Sequence, residues 1–129
     1  MLFWTEPLKS LRALIVCISL VASGQPALAV DPPYQQRMER LAEIMGSLYF
    51  LQPLCEAGDA DWRAQVSELI ILDEPDEDRR QRLAGAFNGG YEAYARFHRV
   101  CTPAAEEAFT RLLTEAADLA REIHARFAE

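Results

Sequence analysis

The stretch LAEIMGSLYFLQPLC, residues 41–55, decides the fold. Leu41, Ile44, Met45, Leu48, Leu51 and Cys55 recur at spacings of three and four, which traces one face of a helix. Gln52-Pro53 is expected to end or kink it, because the residue before a proline avoids the α region. Within the run, Leu48-Tyr49-Phe50-Leu51 is apolar all the way around one turn, although a surface helix needs only one apolar stripe. Either this helix is central and contacted from several directions, or Tyr49 and Phe50 show on the surface as part of a partner site.

Upstream, Val30-Asp31-Pro32-Pro33 reads as an extended leader, so the first helix is expected over 34–52. Downstream, Gly58-Asp59 marks a turn, and Asp59 or Asp61 is placed to cap a second helix over 60–72 with Trp62, Val66, Leu69 and Ile70 inward. Leu69-Ile70-Ile71-Leu72 repeats the all-round apolar pattern, which adds Ile71 and Leu72 to Tyr49 and Phe50 as candidate partner surface. Asp73-Glu74-Pro75-Asp76 is a stop and a restart, with Pro75 read as the first residue of a third helix over 75–99. The inner stripe of that helix is Leu83, Phe87, Gly90, Tyr91, Tyr94 and His98. Cys101-Thr102-Pro103 is a further boundary, with Thr102 as N-cap of a fourth helix over 103–127 that carries Phe109, Leu112, Leu113, Ala116 and Ile123. Strand alternation, internal repeats and low-complexity tracts are absent from the sequence. The reading is an all-α, compact four-helix domain.

The N-terminus sets the compartment. Lys9 and Arg12 form a positive n-region, Ala13 to Ala22 an apolar stretch, and Ala27-Leu28-Ala29 a small-x-small cleavage site. The apolar core is far shorter than the roughly 20 residues a spanning helix needs. Residues 1–29 therefore read as a secretory signal cleaved after Ala29, residues 30–129 as the domain, and the periplasm as its location. No stable membrane insertion is expected after cleavage. In an oxidising compartment the two cysteines of the domain, Cys55 and Cys101, most simply form a disulfide. Short connections make the first and third helices roughly parallel, and the bridge would join their matching ends. Gly46 and Gly90 each cost their helix about 1 kcal/mol relative to alanine. They lie 9 and 11 residues before the two cysteines, at similar heights on helices one and three. That placement fits close packing between the helices, the alternative being a local kink at Asn88-Gly89-Gly90; Gly89 is expected on the outer face.

Composition narrows the partners. Without Lys9, Arg12 and Glu6, the 13 basic and 20 acidic residues of the chain become 11 and 19, a net charge of −8. Nucleic acid and anionic lipid both demand basic patches, so neither is an expected partner. All 11 cations of the domain are arginines, which reads either as bidentate recognition of carboxylates or phosphates or as codon usage.

A catalytic constellation is missing. His98 and His124 lack ligand-spaced partners, the cysteines are 46 residues apart without a C-x-x-C, and no G-x-S-x-G elbow accompanies Ser47 or Ser67. No catalytic residue, metal or cofactor is expected. Glu43 is the acid of most interest, flanked by apolar positions, with a pairing to Arg40 as its plain role. Asn88, Tyr91, Tyr94 and Arg96 form a second, weaker surface or pocket candidate.

Leu41 to Leu48, Leu51-Gln52-Pro53-Leu54-Cys55, Trp62-Arg63, Phe87-Asn88-Gly89-Gly90-Tyr91 and Cys101-Thr102-Pro103-Ala104-Ala105, in that order, resemble a family of small secreted helical proteins of unknown function from alphaproteobacteria. The resemblance covers roughly Met38 to Ile123. It implies a periplasmic location and the same cysteine pairing, and it supplies no site residues. The expected function is a non-enzymatic periplasmic interaction or regulatory module that binds an envelope protein. The alternative is a binder of a small ligand or cell-wall fragment, with hydrolytic activity, using Glu43, Tyr91 and Arg96 around an inter-helix pocket.

Overall fold

Four helices carry the chain in a computed structural model that describes residues 30–127: α1 Gln35–Leu54, α2 Trp62–Asp73, α3 Glu77–Ala95 and α4 Pro103–Phe127. No strand occurs among the described residues, and the signal reading of residues 1–29 lies outside them. α1 is the hub. It packs most extensively on α3, then on α4, then on α2, while α2 and α3 barely touch. Leu41, Ala42, Ile44, Met45, Leu48 and Leu51 are buried along it, facing Leu83 and Phe87 of α3, Val66 of α2, and Ala105, Ala108, Phe109, Leu112 and Ala116 of α4. The apolar turn at 48–51 thus has neighbours on more than one side, and Tyr49 alone of the four is more than a third exposed.

Helix ends depart from the sequence reading for local reasons. α1 runs through Pro53 to Leu54, because the missing proline N–H removes a single bond and Cys55 N–H still closes the turn on Leu51 O at 3.0 Å. Buried Gln52 holds the turn beyond it, donating to Ala60 O (2.8 Å) and accepting from Trp62 Nε1 (2.7 Å). Asp61, not Asp59, caps α2 by accepting from Ala64 N–H. Asp76 caps α3 by accepting from Arg79 N–H at 2.8 Å, which puts buried Pro75 just ahead of the cap rather than inside the helix. α3 stops at Ala95, short of residue 99, as Phe97 and His98 N–H both turn back onto Tyr94 O. The chain must leave the helix axis there to bring Cys101 to Cys55. Thr102 caps α4 through Ala105 N–H at 3.1 Å.

The α1–α3 pair is parallel and fastened at three heights. At its C-terminal end Cys55 and Cys101 form a disulfide with Cα atoms 5.0 Å apart. In the middle, a Cβ on Gly46 would lie 1.8 Å from Phe87 O, and one on Gly90 1.9 Å from Glu43 O. Cβ vectors tilt toward the helix N-terminus. In a parallel pair each glycine therefore faces the turn before the other, and only glycine hydrogens separate the two backbones. The Ser47 hydroxyl lies 3.0 Å from Glu43 O and 3.2 Å from Gly90 O and shares its single proton between them. Gly89 is exposed with open space around its missing Cβ.

The N-terminal end is a polar knot. Arg79, 8% exposed, donates from Nε to Gln35 Oε1 at 2.6 Å and pairs with Asp73. Asp73 also accepts from the Tyr34 hydroxyl at 2.7 Å, and this bond, with burial, raises the tyrosine's pKa. The starts of α1 and α3 and the end of α2 meet in these four side chains. Arg82 fans out to Asp31, Glu39 and Asp78 beside them. α4 is held antiparallel on the other side of α1 by Arg40, which binds Glu115 through two bonds of 2.8 and 2.9 Å, and by Arg37 with Glu122 at 3.0 Å.

Removing the disulfide by Cys55→Ala/Cys101→Ala should lower the unfolding free energy by up to about 4 kcal/mol, from the 46-residue separation and chain entropy, read in a guanidinium melt. Gly46→Ala or Gly90→Ala forces backbone apart and should cost about 2–4 kcal/mol, whereas Gly89→Ala should stabilise by up to about 1 kcal/mol. Equal effects at the three glycines would contradict the close contact. Glu115 is held below its ordinary value of 4.5, chiefly by the hydrogen bond from Arg40, so its contribution is complete above that value and disappears as the pH falls through the lowered one. Both partners are over a third exposed, so Glu115→Gln should cost at most about 1 kcal/mol at pH 7 and less at pH 3. Thermal unfolding at the two pH values measures the difference.

Candidate functional site

α2 carries six large apolar side chains, Trp62, Val66, Leu69, Ile70, Ile71 and Leu72, and only Val66 is buried. Asp61 starts the helix and a left-handed Glu74 (φ 47°) ends it, and between them Val66 enters the core while Trp62, Leu69 and Ile70 pack half-buried against it. Ile71 is 72% and Leu72 75% exposed. An open groove flanks each long side of the helix.

The groove between α2 and α3 holds about 400 Å³, with Val66, Ile70 and Arg63 from α2 and Phe87, Asn88 and Tyr91 from α3. Tyr49 of α1 forms part of its lining. The rings of Tyr49 and Phe87, and of Tyr49 and Tyr91, are 5.7 Å apart and tilted; Phe50 meets Tyr91 edge-on at 5.4 Å. Edge and tilted contacts suit the ring quadrupole and fix the wall. Tyr49 and Tyr91 remain 37% and 38% exposed. The second groove, about 460 Å³, is lined by Leu69 and Leu72 of α2, Met38 and Leu41 of α1, and Ala120 and Ile123 of α4, with Asp73 and His124 also in its lining.

The sequence-derived candidates therefore fall into groups. Tyr49, Phe50, Asn88 and Tyr91 come together around the α2–α3 groove, and Leu72 belongs to the groove opposite. Tyr94 stacks on His98 at 5.8 Å, and Arg96 is exposed at the end of α3. Glu43 lines a different hollow with Gln36, Glu39, Arg40, Ala86 and Gly89, and its carboxylate pairs with Arg40 at 3.1 Å. Glu43, Tyr91 and Arg96 do not share one of these grooves. Two exposed side chains escaped the sequence reading: Phe97 and Val100, on the turn before Cys101. The signal available was Cys101 itself, since a chain that must swing back to Cys55 cannot continue the helix that placed them. Arg63 entered the sequence reading only within the Trp62-Arg63 motif and not as a site residue, because a lone exposed arginine carries no pattern.

Among the described residues no three His, Cys, Asp or Glu side chains lie where they could hold a metal ion, and no helix is long and apolar enough to cross a membrane. No curated protein and no solved structure matches the chain. The model of a family described as "Protein of unknown function (DUF2385)" matches residues 33–127, which spans all four helices, both glycines of the α1–α3 contact and both cysteines. The chain belongs to this family of unknown function.

Proposed function

We propose that the domain is a non-enzymatic helical interaction module of the periplasm that binds an envelope protein through the face built around α2. One observation carries the reading: a helix with six large apolar side chains leaves Ile71 and Leu72 largely exposed and stands between two open grooves. Exposed apolar surface costs a monomeric protein solubility, and contiguous patches of it usually mark contact sites. The aromatic wall of Tyr49, Phe50 and Tyr91 supplies residue types that dominate binding energy at protein interfaces. The disulfide and the signal-like N-terminus support an oxidising compartment. The alternative, a binder of a small ligand or cell-wall fragment, would use the same α2–α3 groove. Its hydrolytic part finds no support in Glu43, whose carboxylate is engaged by Arg40 away from Tyr91.

A photoreactive amino acid placed at Leu72 or at Asn88 should yield the same crosslinked adduct in intact cells, and none when placed at Arg111 on the exposed side of α4. Ile71→Asp should abolish that adduct while shifting stability by no more than about 0.5 kcal/mol, as for most surface substitutions. Adducts that form only from Arg111, or that survive Ile71→Asp unchanged, would overturn the reading.

A further inference from the structure

We infer that the α2–α3 groove recognises a polypeptide segment that carries a large apolar side chain next to a carboxylate, with Arg63 as the group that reads the carboxylate. The inference rests on the reading of the α2 face as a docking surface and names the chemistry of what docks there. The domain has an acid excess, and seven of its arginines (Arg37, Arg40, Arg79, Arg80, Arg82, Arg121 and Arg126) have a carboxylate within 4.0 Å. Arg63 has no salt bridge among the described residues, and it lines the groove beside Val66, Ile70, Tyr49 and Tyr91. Its side chain thus borders apolar surface, where an ion pair is screened less than in open water. Planar and permanently charged, it binds a carboxylate through two parallel hydrogen bonds.

Shape gives the rest of the ligand. The hollow of about 400 Å³ lies at the small end of the range for ligand pockets, room for one large side chain and its adjoining backbone. The rings of Tyr49, Phe87 and Tyr91 on one side and Val66 and Ile70 on the other offer that side chain an apolar slot. Asn88 lines the same hollow and offers both a donor and an acceptor for a peptide group. A segment with an apolar residue and a carboxylate side by side satisfies slot and guanidinium together.

The test is a titration of the isotope-labelled domain, residues 30–129 with the disulfide formed, followed by amide chemical shifts. Three probes serve: acetyl-Ala-Ala-Phe with a free carboxylate, the same peptide as its C-terminal amide, and acetyl-Asp-Phe-Ala-amide. At least one carboxylate peptide should shift Ser67, Asn88 and Tyr91 saturably, and the first amide should bind about tenfold more weakly, equivalent to about 1.4 kcal/mol. Whichever carboxylate peptide binds identifies a chain end or an internal acid as the source, and either supports the inference. Arg63→Gln should bring the carboxylate peptide down to the level of its amide, with an unchanged thermal midpoint because Arg63 is exposed and outside the core. Equal binding of acid and amide overturns the inference while leaving the groove as a docking surface. A preference that survives Arg63→Gln, or no shift at the groove from any probe, also overturns it, and the crosslinks from Leu72 and Asn88 then judge the docking surface separately.

Discussion

Two helices come into backbone contact only where neither presents a side chain, and the meeting of Gly46 with Gly90 is the contact on which this domain is organised. It draws α3 against α1 closely enough that a methyl group on either glycine would collide with the carbonyl of the opposite turn. The two ends of the pair are then fastened by different means, a disulfide at one and the Arg79 knot at the other. With α3 so close on one side, and α4 held along another by Arg40–Glu115 and a row of alanines and leucines, most of the circumference of α1 is covered. α2 takes what is left. It reaches the core through Val66, rests Trp62, Leu69 and Ile70 half-buried against it, and leaves Ile71 and Leu72 exposed.

The arginine-only cation set gains a structural rationale. Arg79 serves Gln35 and Asp73 from a buried position, and Arg40 grips Glu115 with two nitrogens while reaching Glu43 with a third. A lysine, with a single ammonium, cannot make the forked pair with Glu115. Burying Arg79 is tolerable because its partners are fixed on two helix ends, and no buried side-chain polar atom among the described residues is left without a partner. Such a knot adds specificity to the packing, since a shift of α3 by one turn would break both bonds of Arg79 at once.

Much of this was legible in the chain. The spacing from Leu41 to Cys55 gave a helix with its inner face named correctly, because that periodicity records burial directly. Thr102 and Pro103 placed the start of α4, and two cysteines in the domain could pair only with each other. The weak points were the ends shaped by distant partners. α3 stops at Ala95 although its sequence remains compatible with helix, since Cys101 has to return to Cys55. Pro75 lies outside α3, as Asp76 is the better cap. The knot of Tyr34, Gln35, Asp73 and Arg79 left no trace in the sequence, where its members are spread over 46 positions among many similar polar residues.

The sequence by itself determined the all-α four-helix class, the inner face of α1, the covalent pairing and the net acidic charge, because each follows from local spacing or from a count. Only the tertiary structure decided which of two apolar turns is covered and which is displayed. Leu48-Tyr49-Phe50-Leu51 and Leu69-Ile70-Ile71-Leu72 carry the same pattern, yet the first lies on the central helix with Leu48 and Leu51 fully buried, and the second on the peripheral one with Ile71 and Leu72 exposed. Burial depends on how many neighbours a helix has, and that number is set by Gly46, Gly90 and the partners of Arg79, which act across the chain rather than along it.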